Sequence, residues 1–114
     1  MKPTTPDQVS SLLEQNKNVI VIYSVEECPP CALIKDTLTA VLESHPGHSF
    51  EFFECVVDRN DKKALGKLFL AGINSFPNVL VKRSGALTGD YAGVPEGWTQ
   101  AQANAFFDDA LFGD

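Results

Sequence analysis

The chain has 114 residues, of which 44% are hydrophobic and 21% are charged, a balance typical of one folded domain rather than of a disordered chain. The formal net charge of −6 disfavours nucleic acid as a partner, because an acidic surface gains nothing from a phosphate backbone. The sequence has no basic amphipathic stretch for an anionic membrane, and its longest apolar run, residues 19–23, is far too short to span a bilayer. We therefore predict a single domain over residues 1–114 that binds neither nucleic acid nor a membrane.

The N-terminus and the cysteines bear on the compartment. The first six residues contain no apolar segment of the kind found in signal peptides, so we expect a cytoplasmic protein. Of the three cysteines, Cys28 and Cys31 lie close together and Cys55 stands apart. Thiols stay reduced in the cytoplasm, and this spacing is not that of a disulfide framework.

The N-terminal half of the sequence predicts two helices around a buried strand. Thr5 and Gln8 can form a capping box at the start of a first helix, which Asn16 and its neighbours should end. The run at residues 19–23 is β-branched and continuous, as expected for a strand that is buried on both faces. A second helix should follow over about residues 29–44, because apolar side chains recur there at helical spacing.

The C-terminal half predicts the same alternation and a final hairpin. In chain order we expect a strand at residues 50–57, a helix capped by Asn60 or Asp61, a strand at residues 78–81, a hairpin return near residues 88–91, and a last helix opened by a capping box at Thr99 and Gln102. Helices between successive strands favour parallel pairing, and the hairpin adds an antiparallel edge. The prediction is an α/β fold with a four-stranded mixed sheet and helices on both faces.

The motif that carries chemistry is the pair Cys28 and Cys31, which enclose Pro29 and Pro30 at the predicted junction of strand and helix. Two cysteines at this spacing can close a small ring without distorting the helix. The Cys28 sulfur would lie at the helix N-terminus, where unpaired amides and the macrodipole favour a thiolate. Cys31 lies on the apolar face of the helix. We therefore predict an exposed nucleophile at Cys28, a buried resolving thiol at Cys31, and Cys55 too distant to pair with either.

This arrangement resembles the thioredoxin family, and the resemblance covers most of the chain. Pro77, followed by an apolar strand, is similar to that family's cis-proline. Gly85 and Gly93 lie at the spacings of its hairpin-turn and substrate-groove glycines, and Asp58 also matches the family pattern. The resemblance implies a thioredoxin fold and a monomeric thiol-disulfide oxidoreductase that reduces protein disulfides without a bound cofactor or metal. Its electrons would come from a thioredoxin reductase or from a small thiol.

The resemblance also implies where the substrate binds. The peptide around Phe76 and Pro77 would lie against the cysteine pair and bind an extended substrate segment through its backbone. Ala92 and Gly93 would form the other wall of this groove. We expect Pro77 to have a cis peptide bond, since a cis bond before proline costs only about 0.5–1 kcal/mol.

Four positions depart from the thioredoxin pattern and mark a divergent sequence. Glu27 stands in place of the tryptophan before the first cysteine, and Ala32 in place of the basic residue after the second. Ile22 replaces the buried aspartate, and Asp36 replaces the proline that kinks the second helix. Residues 1–5 also leave little room for the family's first strand.

Three acidic residues could tune the cysteine pair. Glu26 and Glu27 place negative charge beside Cys28, which opposes ionisation of its thiol. Glu54 interrupts an apolar strand and could accept the proton of Cys31, because Ile22 cannot titrate. Alternatively, Glu54 could simply guard an exposed sheet edge against pairing. The sequence leaves both interpretations of Glu54 open.

A zinc site is one alternative function for the cysteine pair. Zinc needs four ligands, and Cys55, His45 and His48 could complete the set. Pro29 and Pro30 argue against it, since neither supplies the backbone N–H that stabilises sulfur ligands in such sites.

Two further alternatives keep the thioredoxin-like fold. A glutaredoxin-like, glutathione-dependent reductase would use the same cysteine spacing, and Gly89 with Asp90 supplies a fragment of its glutathione-binding turn. A binding module without enzymatic activity could use Glu26 and Glu27 to hold a basic partner, although such a surface does not need intact cysteines.

Overall fold

The computed structural model describes residues 1–95 and 97–113. Its elements, in chain order, are β1 Lys2–Pro3, a 3₁₀ turn Pro6–Gln8, α1 Val9–Gln15, β2 Val19–Val25, α2 Pro29–Glu43, β3 Glu51–Val57, α3 Lys62–Leu70, β4 Asn78–Arg83, β5 Ala86–Ala92 and α4 Gln100–Phe112. Within these residues, no helix has both the length and the apolarity that a bilayer crossing requires.

The strands form one mixed sheet in the order β1-β3-β2-β4-β5. The central strand β2 pairs in parallel with β3 and antiparallel with β4, and β4 pairs antiparallel with β5. The predicted α/β class, the mixed sheet and the C-terminal hairpin are therefore confirmed. The predicted number of four strands is wrong, since the described residues form five.

The additional strand is β1, for which residues 1–5 offered little room. Lys2 and Pro3 pair in parallel with Phe53 and Glu54, and the backbone N–H of Thr4 donates to the Glu54 carbonyl at 2.9 Å. A strand of two residues is too short to show the hydrophobic alternation that predicts strands. The edge of β3 holds this strand in place, and that pairing partner lies some fifty residues away along the chain.

The direction of β4 corrects a second prediction. The helix between β3 and β4 favoured a parallel strand, but β4 runs antiparallel to β2. Tyr23 at the end of β2 pairs with Asn78 at the start of β4, so the two strands run in opposite directions. With nine residues, α3 is about 14 Å long. The seven residues of β3 span about 23 Å, so α3 alone does not carry the chain back along the sheet. The chain re-enters the sheet at the end where β2 and β3 stop.

Two layers of core hold the sheet between the helices. All seven residues of β2 are buried, which confirms the predicted strand with two apolar faces. On one face, Ile20 and Ile22 pack with α2 and α4; on the other, Val19 and Val21 pack with α1 and α3. This layering confirms the prediction of helices on both faces of the sheet.

The helix starts agree with the predicted caps in two of three places. Thr99 and Gln102 form the expected capping box of α4, and the Asp61 carboxylate accepts the backbone N–H of Ala64 at 3.0 Å at the start of α3. At Thr5, by contrast, no side-chain cap is found within the described residues, and the chain enters α1 through a 3₁₀ turn. The capping box predicted there is wrong, because Gln8 contacts the Thr4 hydroxyl instead, at 3.4 Å.

Two buried titratable side chains, Tyr23 on β2 and Cys55 on β3, make the stability of the fold sensitive to alkaline pH. Tyr23 and Cys55 are register partners, and both are almost fully buried. Burial, with smaller contributions from the charges of Cys55 and Asp90, raises the pKa of Tyr23 from 10.0 to about 12. Burial likewise raises the pKa of the Cys55 thiol from 9.0 to about 11. Both groups are therefore held in their neutral forms.

We predict that the free energy of unfolding falls as the pH rises from about 9 to 12, because the unfolded chain releases both protons first. Below about pH 9 the contribution of both groups is complete. Cys55→Ala should reduce the loss of unfolding free energy between about pH 9 and 11. Tyr23→Phe should reduce the loss between about pH 10 and 12. Urea titration of the oxidised protein at a series of pH values measures these slopes, and unchanged slopes in both variants would contradict the assignment.

Candidate active site

Cys28 caps the N-terminus of α2, as the sequence predicted. Its backbone is extended, with φ −121° and ψ 94°, and its Sγ accepts a hydrogen bond from the backbone N–H of Cys31 at 3.3 Å. Pro29 and Pro30 occupy the first two helical positions. A missing N–H costs no helical hydrogen bond there, so the prolines fit this start and fix its backbone.

The two cysteines are joined by a disulfide with a Cα–Cα separation of 5.2 Å, and Cys55 is a free thiol. Cys31 is buried, as predicted, with 2% of its surface exposed. Cys28 is half-buried, which corrects the prediction that it is exposed. It packs together with Phe76 against the core on the α1 and α3 side of the sheet, and this contact covers part of its side chain.

The residues predicted to bind substrate contact one another at one end of β4, and Phe76 lines a groove together with Cys28. The Phe76–Pro77 peptide bond is cis, which confirms that prediction. The backbone N–H of Gly93 donates to the Pro77 carbonyl at 2.7 Å, and Ala92 is the register partner of Asn78. Gly93 has a φ of +73°, a conformation that favours glycine at this bend.

A first groove beside Cys28 is acidic at its rim, and we call it the acidic groove. Its volume is about 620 Å³, and its lining residues are Val25, Glu26, Glu27, Cys28, Pro29, Cys31, Ala32, Lys35 and Val56. Glu26 and Glu27 are both exposed at this groove. Val56 adds an apolar wall that is 46% exposed.

A second groove on Cys28 contains a cation, and we call it the Arg59 groove. Its volume is about 360 Å³, and its lining residues are Val25, Cys28, Arg59, Leu65, Asn74, Ser75 and Phe76. Arg59 Nη2 lies 3.4 Å from the backbone carbonyl oxygen of Glu27, which makes a long hydrogen bond. Glu27 itself has a φ of +54°, so the residue before Cys28 adopts a backbone conformation that non-glycine residues rarely take.

Glu54 forms an ion pair that the sequence analysis did not anticipate. Its Oε2 atom is buried and lies 2.8 Å from Lys35 Nζ, and each side chain keeps about a quarter of its surface exposed. Ile22 is the register partner of Glu54 on β2. Lys35 lies one helical turn after Cys31 on α2, but no local feature of the sequence links it to Glu54 on β3.

The same geometry corrects the interpretation of Glu54 as an edge guard. Pro3 of β1 pairs with Glu54, so β3 is covered at this residue. Glu51, nearer the start of β3, forms a surface ion pair with Lys2 at 2.9 Å instead.

The residues of the alternative sites lie elsewhere. Cys55 is enclosed by the core on the α1 and α3 side, whereas His45 stacks on Phe112 and contacts Asp108 at 2.7 Å. Among the described residues, no group of three or more potential metal ligands comes together. Gly89 and Asp90 lie within β5, paired with β4, and so do not form a turn for glutathione.

Comparison with known proteins identifies the fold. The chain is similar to mitochondrial thioredoxin 3 from Saccharomyces cerevisiae, with a TM-score of 0.66 and 17% identity over 96% of this chain and 92% of that one. Chloroplastic thioredoxin z gives a TM-score of 0.69 and 18% identity, covering 96% and 93% of the two chains. Fasciola hepatica thioredoxin gives a TM-score of 0.60 and 21% identity over 84% of this chain and 89% of that one.

Sequence comparison adds nothing to this likeness, since no family model and no curated protein sequence matches the chain. The structural likeness establishes the thioredoxin fold, and so the predicted resemblance is confirmed at the level of the fold.

Proposed function

We propose that this protein is a thiol-disulfide oxidoreductase that reduces disulfides in protein substrates through Cys28 and Cys31. The observation that carries the proposal is the position of the Cys28 sulfur. It caps a helix N-terminus, where it accepts a hydrogen bond from the Cys31 backbone N–H. It is also bonded to Cys31, a buried cysteine of the same turn. The same amide and the helix dipole would stabilise a Cys28 thiolate after reduction.

The reaction runs in two exchange steps. The Cys28 thiolate attacks one sulfur of the substrate disulfide; the substrate S–S bond breaks, and the other substrate sulfur leaves as a thiolate. Cys31 then loses its proton and attacks the Cys28 sulfur, which releases the second substrate thiolate and forms the Cys28–Cys31 disulfide. The substrate gains two electrons and the protein loses two, so each turnover needs a reductant.

The backbone around Phe76 and Pro77 would hold the substrate in this reaction. An extended substrate segment would pair with it in the manner of an added strand, with Ala92 and Gly93 as the opposite wall. We propose that a thioredoxin reductase or a small thiol then reduces the internal disulfide, and that the protein acts as a monomer in the cytoplasm.

Reduction of insulin disulfides tests this function. We expect the wild type to be active when coupled to a thioredoxin reductase. Cys28→Ser should abolish activity, and Cys31→Ser should accumulate a mixed disulfide through Cys28. Cys55→Ser, a matched control elsewhere in the chain, should stay active.

The electron donor separates the competing functions. Activity that depends on glutathione rather than on the reductase would select the glutaredoxin-like alternative. Full activity in Cys28→Ser would contradict the mechanism. Inactivity with both donors would contradict the enzymatic proposal and favour a binding module that uses Glu26 and Glu27.

We further propose that Glu54 accepts the proton that Cys31 loses in the second step. Glu54 lies on the face of β3 that packs towards α2, the helix that carries Cys31, and Lys35 of the same helix holds its carboxylate. The neighbouring position on β2 is Ile22, which cannot take a proton. Lys35 lines the acidic groove together with Cys31, and its ion pair connects Glu54 to the helix of the resolving cysteine.

Glu54→Gln should slow resolution of the mixed disulfide near neutral pH by about 10²–10⁴-fold, the usual contribution of a general base. The rate is measured by stopped-flow mixing of a preformed mixed disulfide across a range of pH. Glu51→Gln is the matched control, because it removes an acid of the same strand that pairs with Lys2 instead. An unchanged rate in Glu54→Gln would contradict this role and indicate that water accepts the proton. The ion pair of Glu54 with Lys35 would then be purely structural.

A further inference from the structure

The two grooves that meet at Cys28 carry opposite charge. Glu26 and Glu27 stand at the rim of the acidic groove, and its cation, Lys35, is already paired with Glu54. On the other side, Arg59 is the one charged residue among the described lining of the Arg59 groove. Cys28 thus lines both a groove with an acidic rim and a groove with one positive charge.

Arg59 keeps hydrogen-bonding capacity for a ligand. Within residues 1–95 and 97–113, its hydrogen bond is the long one to the Glu27 carbonyl, a neutral acceptor. The nearby carboxylates are engaged with their own backbone: Asp58 accepts the N–H of Asn60 at 2.8 Å, and Asp61 caps α3. A guanidinium carries several N–H donors, so Arg59 can hold this carbonyl and a carboxylate together.

The walls of the Arg59 groove suit a short acidic side chain. Leu65 and Phe76 offer apolar surface for a methylene stem, while Asn74 and Ser75 add polar groups beside the guanidinium. Phe76 also belongs to the backbone segment that would hold an extended substrate. Alternate side chains of a peptide that binds as an added strand enter pockets of this kind.

We propose that the Arg59 groove is a subsite for an aspartate or glutamate that neighbours the reacting cysteine of the substrate, and that Arg59 determines this specificity. The inference rests on the proposed function and names its substrate class: protein disulfides with an acidic residue beside the attacked sulfur. Glu26 and Glu27 reinforce the selection, because they repel an acidic residue that would enter the acidic groove instead.

Two disulfide-linked peptides that differ only in Glu or Gln beside the attacked cysteine test the subsite. We expect the wild type to reduce the Glu peptide with a kcat/KM about two- to fivefold higher, the range for a solvent-accessible charge pair. The preference should shrink as salt is added. Arg59→Gln should remove the preference, whereas Arg59→Lys should retain it because the charge remains.

Lys62→Gln is the matched control, since it removes an exposed positive charge that does not line the groove. This variant should keep the preference. Equal rates for both peptides in the wild type, a preference that survives in Arg59→Gln, or a preference lost equally in Lys62→Gln would overturn the subsite. Failure to reduce either peptide would instead contradict the proposed function.

Discussion

The hydrogen bond from the Cys31 backbone N–H to the Cys28 sulfur joins the fold of this protein to its proposed chemistry. It exists because β2 stops at Val25 and α2 starts at Pro29, which leaves Cys28 as the helix cap. β2 is fixed by burial on both faces, and the apolar face of α2 is fixed by the core that it shares with α4. Displacement of either element would move the sulfur away from the helix N-terminus.

The antiparallel run of β4 supplies the other half of the site. Because β4 begins at the end of the sheet where β2 stops, Phe76 lines a groove together with Cys28. The hairpin then returns Gly93 to the same end, where it hydrogen-bonds the Pro77 carbonyl. One end of the sheet thus presents the cysteine pair, the Phe76–Pro77 segment and two grooves of opposite charge.

Local features of the sequence predicted the parts of this site that depend on neighbouring residues. The cap at Cys28 and the capping box of α4 each follow from a few adjacent side chains. The strand β1, the direction of β4 and the Lys35–Glu54 pair depend on contacts between distant parts of the chain, and single-sequence periodicity does not encode them. The sequence did not predict that Arg59 belongs to the site for the same reason, since only the fold brings it to the groove that Cys28 lines.

The order in which the three thiols react tests the assignment of Cys28 as nucleophile most directly. The protein would be fully reduced, treated with limiting iodoacetamide at neutral pH, and analysed by peptide mass spectrometry as a function of time. Cys28 should react first, Cys31 more slowly because it is buried, and Cys55 last because burial raises the pKa of its thiol to about 11. Labelling of Cys31 or Cys55 before Cys28 would contradict the account.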